Sequence, residues 1–239
     1  MSAIATAPPA SATPAVAGHL ARAARAIEPI LTRVVLAGPP AVALLVNDSS
    51  VRVPQMNFAV DSVFQLLSTS MIDRLGRDLQ QLGFARTGRT ERGDRWRHDD
   101  GTAFDLIQVQ TDGDTPHQLS LEYATLLTQS LAVGEGIALR VASAPALLAL
   151  ECTSFALGPA HALDSEELER VILLVAGRRE IENECAAAPP ELRSIITASL
   201  RRLATADALS LLVYRALPDT AMLPALAARV RERIVRMAS

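Results

Sequence analysis

The chain has 239 residues and a formal net charge of -3, and its apolar content of 49% comes mainly from Ala, Leu and Val. This length predicts one domain with an appendage. The net charge excludes a global attraction to phosphate backbones, so a contact with nucleic acid has to come from a local basic patch. The chain contains no lysine, which excludes Schiff-base chemistry and a lysine general base.

Residues 1–18 are uncharged and rich in Ala, Pro, Ser and Thr. Because prolines interrupt this segment and no basic start is present, we expect a disordered tail and not a signal peptide. No apolar segment reaches the roughly 20 residues that span a bilayer, so a cytoplasmic protein without a membrane partner is expected. Cys152 and Cys185 are predicted to be buried thiols and not a disulfide, and the four histidines show no zinc-ligand spacing.

The first half of the chain alternates between helical and strand patterns. We predict a helix at 19–31, a short buried strand at 34–37, a Gly-Pro-Pro turn at 38–40, a helix at 41–46, a strand at 57–66 beside the first, and a helix at 71–82. Three strands at 84–90, 94–98 and 102–109 follow as a meander, and then a helix at 120–129 and a strand at 137–141. These elements predict a sheet with helices.

From residue 144 onward every periodic segment reads as helix. The predicted helices lie at 145–156, 165–176, 180–187, 191–205, 208–217 and 221–237. Ser165 followed by Glu166 and Glu167 is a typical helix start, with acidic residues at the positive end of the helix dipole. The fold class is therefore α/β (α+β), a small mixed β-sheet core at 19–143 with a C-terminal α-helical layer at 144–239.

One constellation in the core suggests chemistry. A strand that ends in a glycine turn and a helix, followed by two strands that each carry a carboxylate, is typical of a metal-dependent phosphoryl-transfer site. The turn and the helix N-terminus would hold phosphates, and the carboxylates would hold magnesium. Gly38, Asp61 and Asp105 are the candidates. The alternatives are a simple turn at Gly38 and structural aspartates at 61 and 105.

The same segments resemble nucleotidyltransferases related to AbiEii-type abortive-infection toxins. Residues 35–44 resemble the family's LxGGxAhxL opening, 57–61 its T-x-D-h-D motif, 104–107 its hDhh strand, 141–151 its hxhxxPxxLhxhK segment and 165–171 its SKDhxDh segment, while Arg52 resembles the arginine upstream of the second motif. The order and spacing agree over about residues 34 to 187. The resemblance implies a nucleotidyltransferase-like core in which Mg²⁺ and a nucleoside triphosphate bind.

Four positions depart from the family pattern. Pro39 stands where the family has a second glycine, Ala59 where it has the first metal-binding aspartate, Glu151 where it has lysine and Arg170 where it has aspartate. The loss of a paired carboxylate weakens divalent-metal binding. The changes at 151 and 170 reverse charge in opposite senses, so we expect a Glu151–Arg170 pair. The departures predict lost or altered nucleotidyl transfer.

One basic patch and several apolar stripes offer other contacts. Arg95, Trp96 and Arg97 are the candidates that could grip phosphates and stack a base, but the acidic residues around them favour a solvated hairpin surface. The apolar stripes of the last helices are predicted to be core, with a homodimer surface as the alternative; they contain Leu209, Leu211, Leu212, Val213 and Leu223.

Three hypotheses for function follow from these residues. The first is an active nucleotidyltransferase that moves a nucleoside monophosphate onto RNA or a small hydroxylated acceptor. In it, Asp61 and Asp105 are catalytic metal ligands, Gly38 and Ser62 lie near the phosphates, and Arg52 offsets charge. The second is a non-catalytic nucleotidyltransferase-like protein that binds a nucleotide, an RNA or a protein partner in the same cleft. The third is an enzyme of different chemistry on this scaffold.

Overall fold

A computed structural model describes residues 14–53, 60–65, 69–89, 93–109, 114–134, 136–157, 165–205, 209–217 and 223–239. The described residues form two compact units. The first unit takes residues 14–41 and the described residues from 60 to 143, and the second takes 42–53 and those from 144 to 239. Residues 1–13 of the predicted tail lie outside the described residues, whereas residues 14–18 are helical.

The elements from the N-terminus to residue 142 build a mixed sheet with helices. In chain order they are α1 (Pro14–Ala26), a 3-10 helix (Glu28–Arg33), β1 (Val35–Leu36), α2 (Gly38–Leu45), β2 (Val60–Gln65), α3 (Thr69–Gln81), β3 (Phe84–Arg89), β4 (Asp94–His98), β5 (Ala103–Val109), α4 (Pro116–Leu126), β6 (Thr128–Gly134) and β7 (Ile137–Ala142). The strand order is β3-β4-β5-β2-β1-β7-β6. Two neighbouring pairs, β2 with β5 and β1 with β7, are parallel, which confirms the predicted small mixed sheet.

Three predicted elements differ from the observed ones. The Gly-Pro-Pro segment at 38–40, predicted as a turn before a helix, is the first turn of α2. The helix predicted at 19–31 begins earlier, at Pro14, and ends at Ala26, where a 3-10 helix containing Pro29 follows. Proline lacks an N–H and clashes with the preceding turn, so an α-helix cannot continue through Pro29 unperturbed. The helix predicted to reach residue 129 ends at Leu126, and Thr128–Gly134 is a strand that pairs with β7 in a hairpin.

Aromatic and aliphatic side chains fill the core of the first unit. Phe84 and Phe104, on β3 and β5, lie with ring centroids 5.0 Å apart at a tilt of 56°. Leu75 and Leu79 of α3 are fully buried. Burial of these apolar side chains stabilises the sheet against its helices.

The described elements from residue 144 onward are all helices, as predicted. They are α5 (Ala144–Leu157), α6 (Glu166–Gly177), α7 (Ile181–Ala186), α8 (Pro190–Ala204), α9 (Leu209–Ala216) and α10 (Leu223–Met237). The side chains of α5 are apolar around most of its circumference, and every residue from Ala144 through Thr153 is buried. A helix of this kind lies at the centre of a helical unit. Ser165 caps α6 by accepting a hydrogen bond from Leu168 N at 3.2 Å, which confirms the predicted helix start.

The C-terminal end of α6 docks residues 42–53 into the second unit. The backbone N–H groups of Asn47 and Asp48 both donate to the carbonyl oxygen of Gly177, at 2.8 and 2.9 Å. Arg229 of α10 donates to Asp48 Oδ2 at 2.9 Å. A Cβ at Gly177 would lie 2.6 Å from Val46 Cγ1, so only glycine permits this close approach.

A second arginine of α10 caps the same helix end. Arg233 donates from Nη1 to the carbonyl oxygen of Val175 at 2.7 Å and from Nη2 to that of Arg179 at 2.7 Å. The last carbonyls of a helix have no partner within the helix, and a cation there also interacts favourably with the helix dipole. A basic side chain near the end of a helix can bind its last carbonyl groups, and here that side chain is an arginine.

The predicted Glu151–Arg170 pair forms in the interior of the second unit. Arg170 Nε donates to Glu151 Oε2 at 2.9 Å, and both side chains are only 3% exposed. Glu166 and Glu167 each approach the same guanidinium at 3.3 Å. Two charges can be buried in this way because each satisfies the other and the guanidinium has further acceptors.

The structure also shows the burial of the two cysteines and of the apolar residues in the C-terminal helices. Cys152 and Cys185 are free and buried, and burial raises the pKa of each thiol to about 12. Leu209, Leu212 and Val213 belong to the core, whereas Leu211 is 59% exposed. Among the described residues, no helix has the length and apolar character needed to cross a bilayer.

We expect Gly177→Ala to lower the free energy of unfolding by about 1–3 kcal/mol, because the added methyl group overlaps Val46. The matched control is Gly18→Ala in α1, where a Cβ meets nothing within 4 Å. That change should stabilise the protein by roughly 0.5–1 kcal/mol through helix propensity. Urea denaturation followed by circular dichroism measures both. Equal effects of the two changes would contradict the close packing at Gly177.

Removing either partner of the buried ion pair should be costly. Glu151→Leu or Arg170→Met leaves one charge without its partner and should lower the free energy of unfolding by about 3–5 kcal/mol. The double variant removes both charges and should be more stable than either single variant. The coupling is measured with a double-mutant cycle in urea, and additive single effects would show that the pair is not energetically coupled.

Candidate active site

The predicted Gly-Pro-Pro turn after β1 is the start of helix α2, and this helix N-terminus is poorly suited to hold a phosphate. Gly38 has φ +68°, a conformation that favours glycine, and it is the first residue of α2. The next two residues are Pro39 and Pro40, which have no backbone N–H to donate at the helix N-terminus. Gly38 is itself buried. Gly38 therefore allows α2 to start here, and the residues that follow it offer few donors to an anion.

The sheet register brings the two predicted metal ligands together. Strands β2 and β5 are parallel neighbours, and Asp61 and Asp105 are Cα partners in their register. Ser62, the next residue of β2, is the Cα partner of Leu36 in β1 and of Leu106 in β5. The backbone thus places Asp61, Ser62 and Asp105 at adjacent positions of two neighbouring strands, and their roles as metal and phosphate ligands stay predictions.

The carboxylate of Asp105 is held by Arg95 from the neighbouring strand β4. Arg95 Nε donates to Asp105 Oδ1 at 2.6 Å and Nη2 donates to Oδ2 at 2.6 Å, a bidentate pair. The two residues are Cα partners in the antiparallel register of β4 and β5. The Asp105 side chain is 8% exposed and that of Arg95 is 46% exposed. Two parallel charge-assisted hydrogen bonds form the strongest geometry for such a pair.

This geometry does not fit a magnesium ion at Asp105. Mg²⁺ takes carboxylate oxygens as ligands, and both oxygens of Asp105 already accept from a guanidinium. In the part of the chain whose side chains are described, no group of three or more His, Cys, Asp or Glu residues could hold a metal ion. A cation that bound Asp105 would have to displace Arg95.

The predicted nucleic-acid patch is divided between the two faces of β4. Trp96 is 5% exposed and packs beneath α3, with its ring 3.6 Å from the point where a Cβ of Gly76 would lie. A base cannot stack on a ring that is buried in this way, and the prediction for Trp96 is corrected accordingly. Arg97 is exposed and has no hydrogen bond or ion pair with any described residue.

The surroundings of Arg97 are small and open. Its Cα partners are Ala85 on β3 and Ala103 on β5, so no long side chain flanks it across the sheet. Arg95, two residues away on the same strand, projects to the same side because side chains alternate along a strand. Arg52, the predicted charge-offsetting residue, is exposed and belongs to the second unit.

The sequence did not predict that Arg95 would bind Asp105. Arg95 was considered part of a phosphate-gripping patch, whereas its Nε and Nη2 donate to a carboxylate of the neighbouring strand. The sequence does contain a signal for this contact. The turn at 99–101 sets the register of β4 and β5, and a hairpin centred on residue 100 pairs residue 95 with residue 105.

The solved structures to which the chain is similar include the following two. One is the solution structure of the antibiotic-resistance factor ANT(2'')-Ia, with 14% identity over 80% of this chain and 92% of that chain and a TM-score of 0.46. The other is an antigenic nucleotidyltransferase-like protein from Paracoccidioides brasiliensis, with 17% identity over 86% of this chain and 94% of that chain and a TM-score of 0.48. Neither likeness identifies an activity at these TM-scores. No protein-family model and no curated protein matches the chain.

Removing the two partners of the Arg95–Asp105 pair should have unequal effects. Arg95→Ala leaves a buried carboxylate without its cation and should lower the free energy of unfolding by about 1–3 kcal/mol. Asp105→Asn should cost less, because the half-exposed guanidinium can turn to water.

The matched control is Arg97→Ala on the same strand, which should change stability by no more than about 0.5 kcal/mol. Urea denaturation measures all three variants. If Asp105→Asn proved more costly than Arg95→Ala, the carboxylate would not be the group that depends on its partner.

Proposed function

We propose that this chain is a nucleotidyltransferase-like protein that does not carry out metal-dependent nucleotidyl transfer and that binds a phosphate-bearing ligand, a nucleotide or RNA. The order of strand, glycine turn, helix and two carboxylate-bearing strands supports the nucleotidyltransferase-like core. The resemblance over residues 34 to 187 points the same way. The pairing of both Asp105 carboxylate oxygens with Arg95 supports the loss of nucleotidyl transfer.

The observation that carries the proposal is the bidentate contact of Arg95 with Asp105. Two-metal phosphoryl transfer needs several carboxylate oxygens around the cations. Here both oxygens of Asp105 accept hydrogen bonds at 2.6 Å from one guanidinium. Ala59 stands where the resembling family has another carboxylate, at a position outside the described residues. Asp61 alone does not supply enough oxygen ligands for two-metal catalysis.

The turn at α2 supports the same proposal independently. A phosphate-binding helix N-terminus works through free backbone N–H groups. Pro39 and Pro40 remove two of them, and Gly38 is buried. The helix N-terminus therefore lacks two of the usual donors for a phosphate, and Asp105, the candidate carboxylate whose side chain is described, has no free oxygen for a metal.

Exposed arginine supports the binding half of the proposal. Arg97 is exposed between two alanines and makes no ion pair with a described residue. Its guanidinium can therefore meet a phosphate without first breaking another contact. Because the net charge of the chain is -3, this attraction must be local.

An active metal-dependent nucleotidyltransferase is the second candidate. It is favoured by the register of β2 and β5, which makes Asp61 and Asp105 direct neighbours. In such an enzyme Arg95 would have to leave Asp105 when the metal and the nucleotide bind. Metal dependence of ligand binding separates the two candidates.

We expect ligand binding to be independent of divalent metal. Isothermal titration of the full chain with each of the four ribonucleoside triphosphates and with a single-stranded RNA, in Mg²⁺ and in EDTA, tests this. The same affinity in both buffers supports the proposal, and the two ligand arms show which source of phosphate is bound. Binding that needs Mg²⁺ and is lost in Asp61→Ala would establish the active enzyme. No binding of any ligand in either buffer would overturn the proposed binding function.

The role of Arg97 is tested with the ligand that binds. Arg97→Ala should weaken binding and reduce the slope of log K against log salt by about 1. Arg22→Ala is the matched control, since Arg22 is an exposed arginine of α1 in the same unit with no partner among the described residues. Equal losses in both variants would show that general charge, and not Arg97, attracts the ligand.

A further inference from the structure

We propose that the groove between the 3-10 helix and α3 binds a small molecule that has a carboxylate and an apolar body. The groove has a volume of about 660 Å³, and its lining includes Pro29, Arg33, Arg74, Asp78, Gln81 and Leu82. Pockets for small molecules typically measure about 300–1,000 Å³ and combine apolar walls with a few polar groups. The whole lining belongs to the first unit.

The groove lies on the side of the sheet opposite to the candidate active site. Trp96 packs beneath α3, with its ring 3.6 Å from the point where a Cβ of Gly76 would lie. Its neighbours on β4, Arg95 and Arg97, project from the other face because side chains alternate along a strand. The groove is therefore a site separate from the one that Arg97 serves in the proposed function.

On the α3 wall of the groove, Arg74 offers a positive charge that no described residue neutralises. Arg74 and Asp78 lie one helical turn apart, a spacing that often gives an ion pair. Here Asp78 Oδ2 pairs with Arg33 Nη2 instead, at 2.5 Å. Arg74 is exposed and makes no hydrogen bond or ion pair with any described residue. Its guanidinium can therefore receive an anion without first breaking another contact.

On the opposite wall, the 3-10 helix contributes Arg33. The Arg33 side chain is 32% exposed, and only its Nη2 donates to a described residue, Asp78. A guanidinium has five N–H donors in a planar fork that matches a carboxylate, so Nε and Nη1 remain for a ligand. The ion pair with Asp78 also holds Arg33 at the groove. Both walls thus carry donors for an anion.

The charges and the apolar walls of the groove determine the class of ligand. Arg33 and Arg74 are positive and Asp78 is negative, which gives the lining a net charge of +1. This charge balances a monoanion such as a carboxylate, whereas a dianionic phosphate ester would leave an excess negative charge beside Asp78. Pro29 is exposed and Leu82 is half-buried, so both offer accessible surface to an apolar body.

The test titrates the full-length protein with benzoate, as the probe carboxylate, and follows the backbone amide signals by two-dimensional NMR. We expect benzoate at millimolar concentration to shift the signals of residues that line the groove. Arg74→Ala should weaken binding at least about tenfold, a difference of about 1.4 kcal/mol. Benzamide, which has nearly the same shape without the charge, should bind the wild type more weakly than benzoate does.

Two control variants locate the site. Arg77→Ala removes an exposed arginine from the same helix that lies outside the groove lining and has no partner among the described residues. Arg97→Ala removes an exposed arginine from the other face of the sheet. Both variants should bind benzoate with wild-type affinity.

A third variant tests the charge argument. Asp78→Asn keeps an acceptor for Arg33 and raises the net charge of the lining to +2. The affinity for phenyl phosphate relative to that for benzoate should rise at least about threefold, because a dianion gains twice as much as a monoanion when a negative charge is removed.

Tighter binding of phenyl phosphate than of benzoate by the wild type would overturn the assignment of a carboxylate ligand. The groove itself would be refuted if benzoate shifted no signal of its lining, or if Arg77→Ala weakened binding as much as Arg74→Ala. None of these results bears on the proposed function, which depends on nucleotide or RNA binding and on Arg97. Conversely, loss of benzoate binding in Arg97→Ala would place the ligand on the other face of the sheet and refute the groove.

Discussion

A carboxylate that leaves water needs a cation, and in this chain the cation is an arginine, because no lysine is present. The buried carboxylates among the described residues are those of Asp48, Asp105 and Glu151. Each contacts a guanidinium: Arg229, Arg95 and Arg170 respectively. The first of these pairs helps to fix residues 42–53, the second lies in the candidate site, and the third lies among the helices. Arginine suits this role because it stays protonated. The Arg95–Asp105 pair is bidentate, whereas Arg229 Nη2 and Arg170 Nε each donate to one oxygen of their carboxylate.

Most of the fold could be predicted from local pattern, and the errors have physical reasons. The helices from residue 144 onward were predicted because they show apolar periodicity or, for α5, a long apolar run, and because α6 begins at the capping residue Ser165. Strand β6 was missed because only one residue, Leu127, separates it from α4, so no turn signal marks the change. Its alternation is also weak, and its identity as a strand depends on pairing with β7.

The candidate site was predicted in its backbone but not in its side-chain chemistry. The adjacency of Asp61 and Asp105 follows from two carboxylate-bearing strands that lie side by side. The contact of Arg95 with Asp105 depends on the register of a third strand, which a one-residue shift would abolish. Trp96 shows the same limit: strand alternation places it opposite the arginines on either side of it, yet composition alone grouped the three into one patch.

The docking of residues 42–53 beside Gly177 means that the second unit is discontinuous in sequence. A fragment that begins at residue 144 would lack the peptide groups that bind the Gly177 carbonyl and the carboxylate that pairs with Arg229. The helical part is therefore not a module that recombination could transfer by a single cut. An autonomous version would need the early segment joined to it through a new connection, for example by circular permutation.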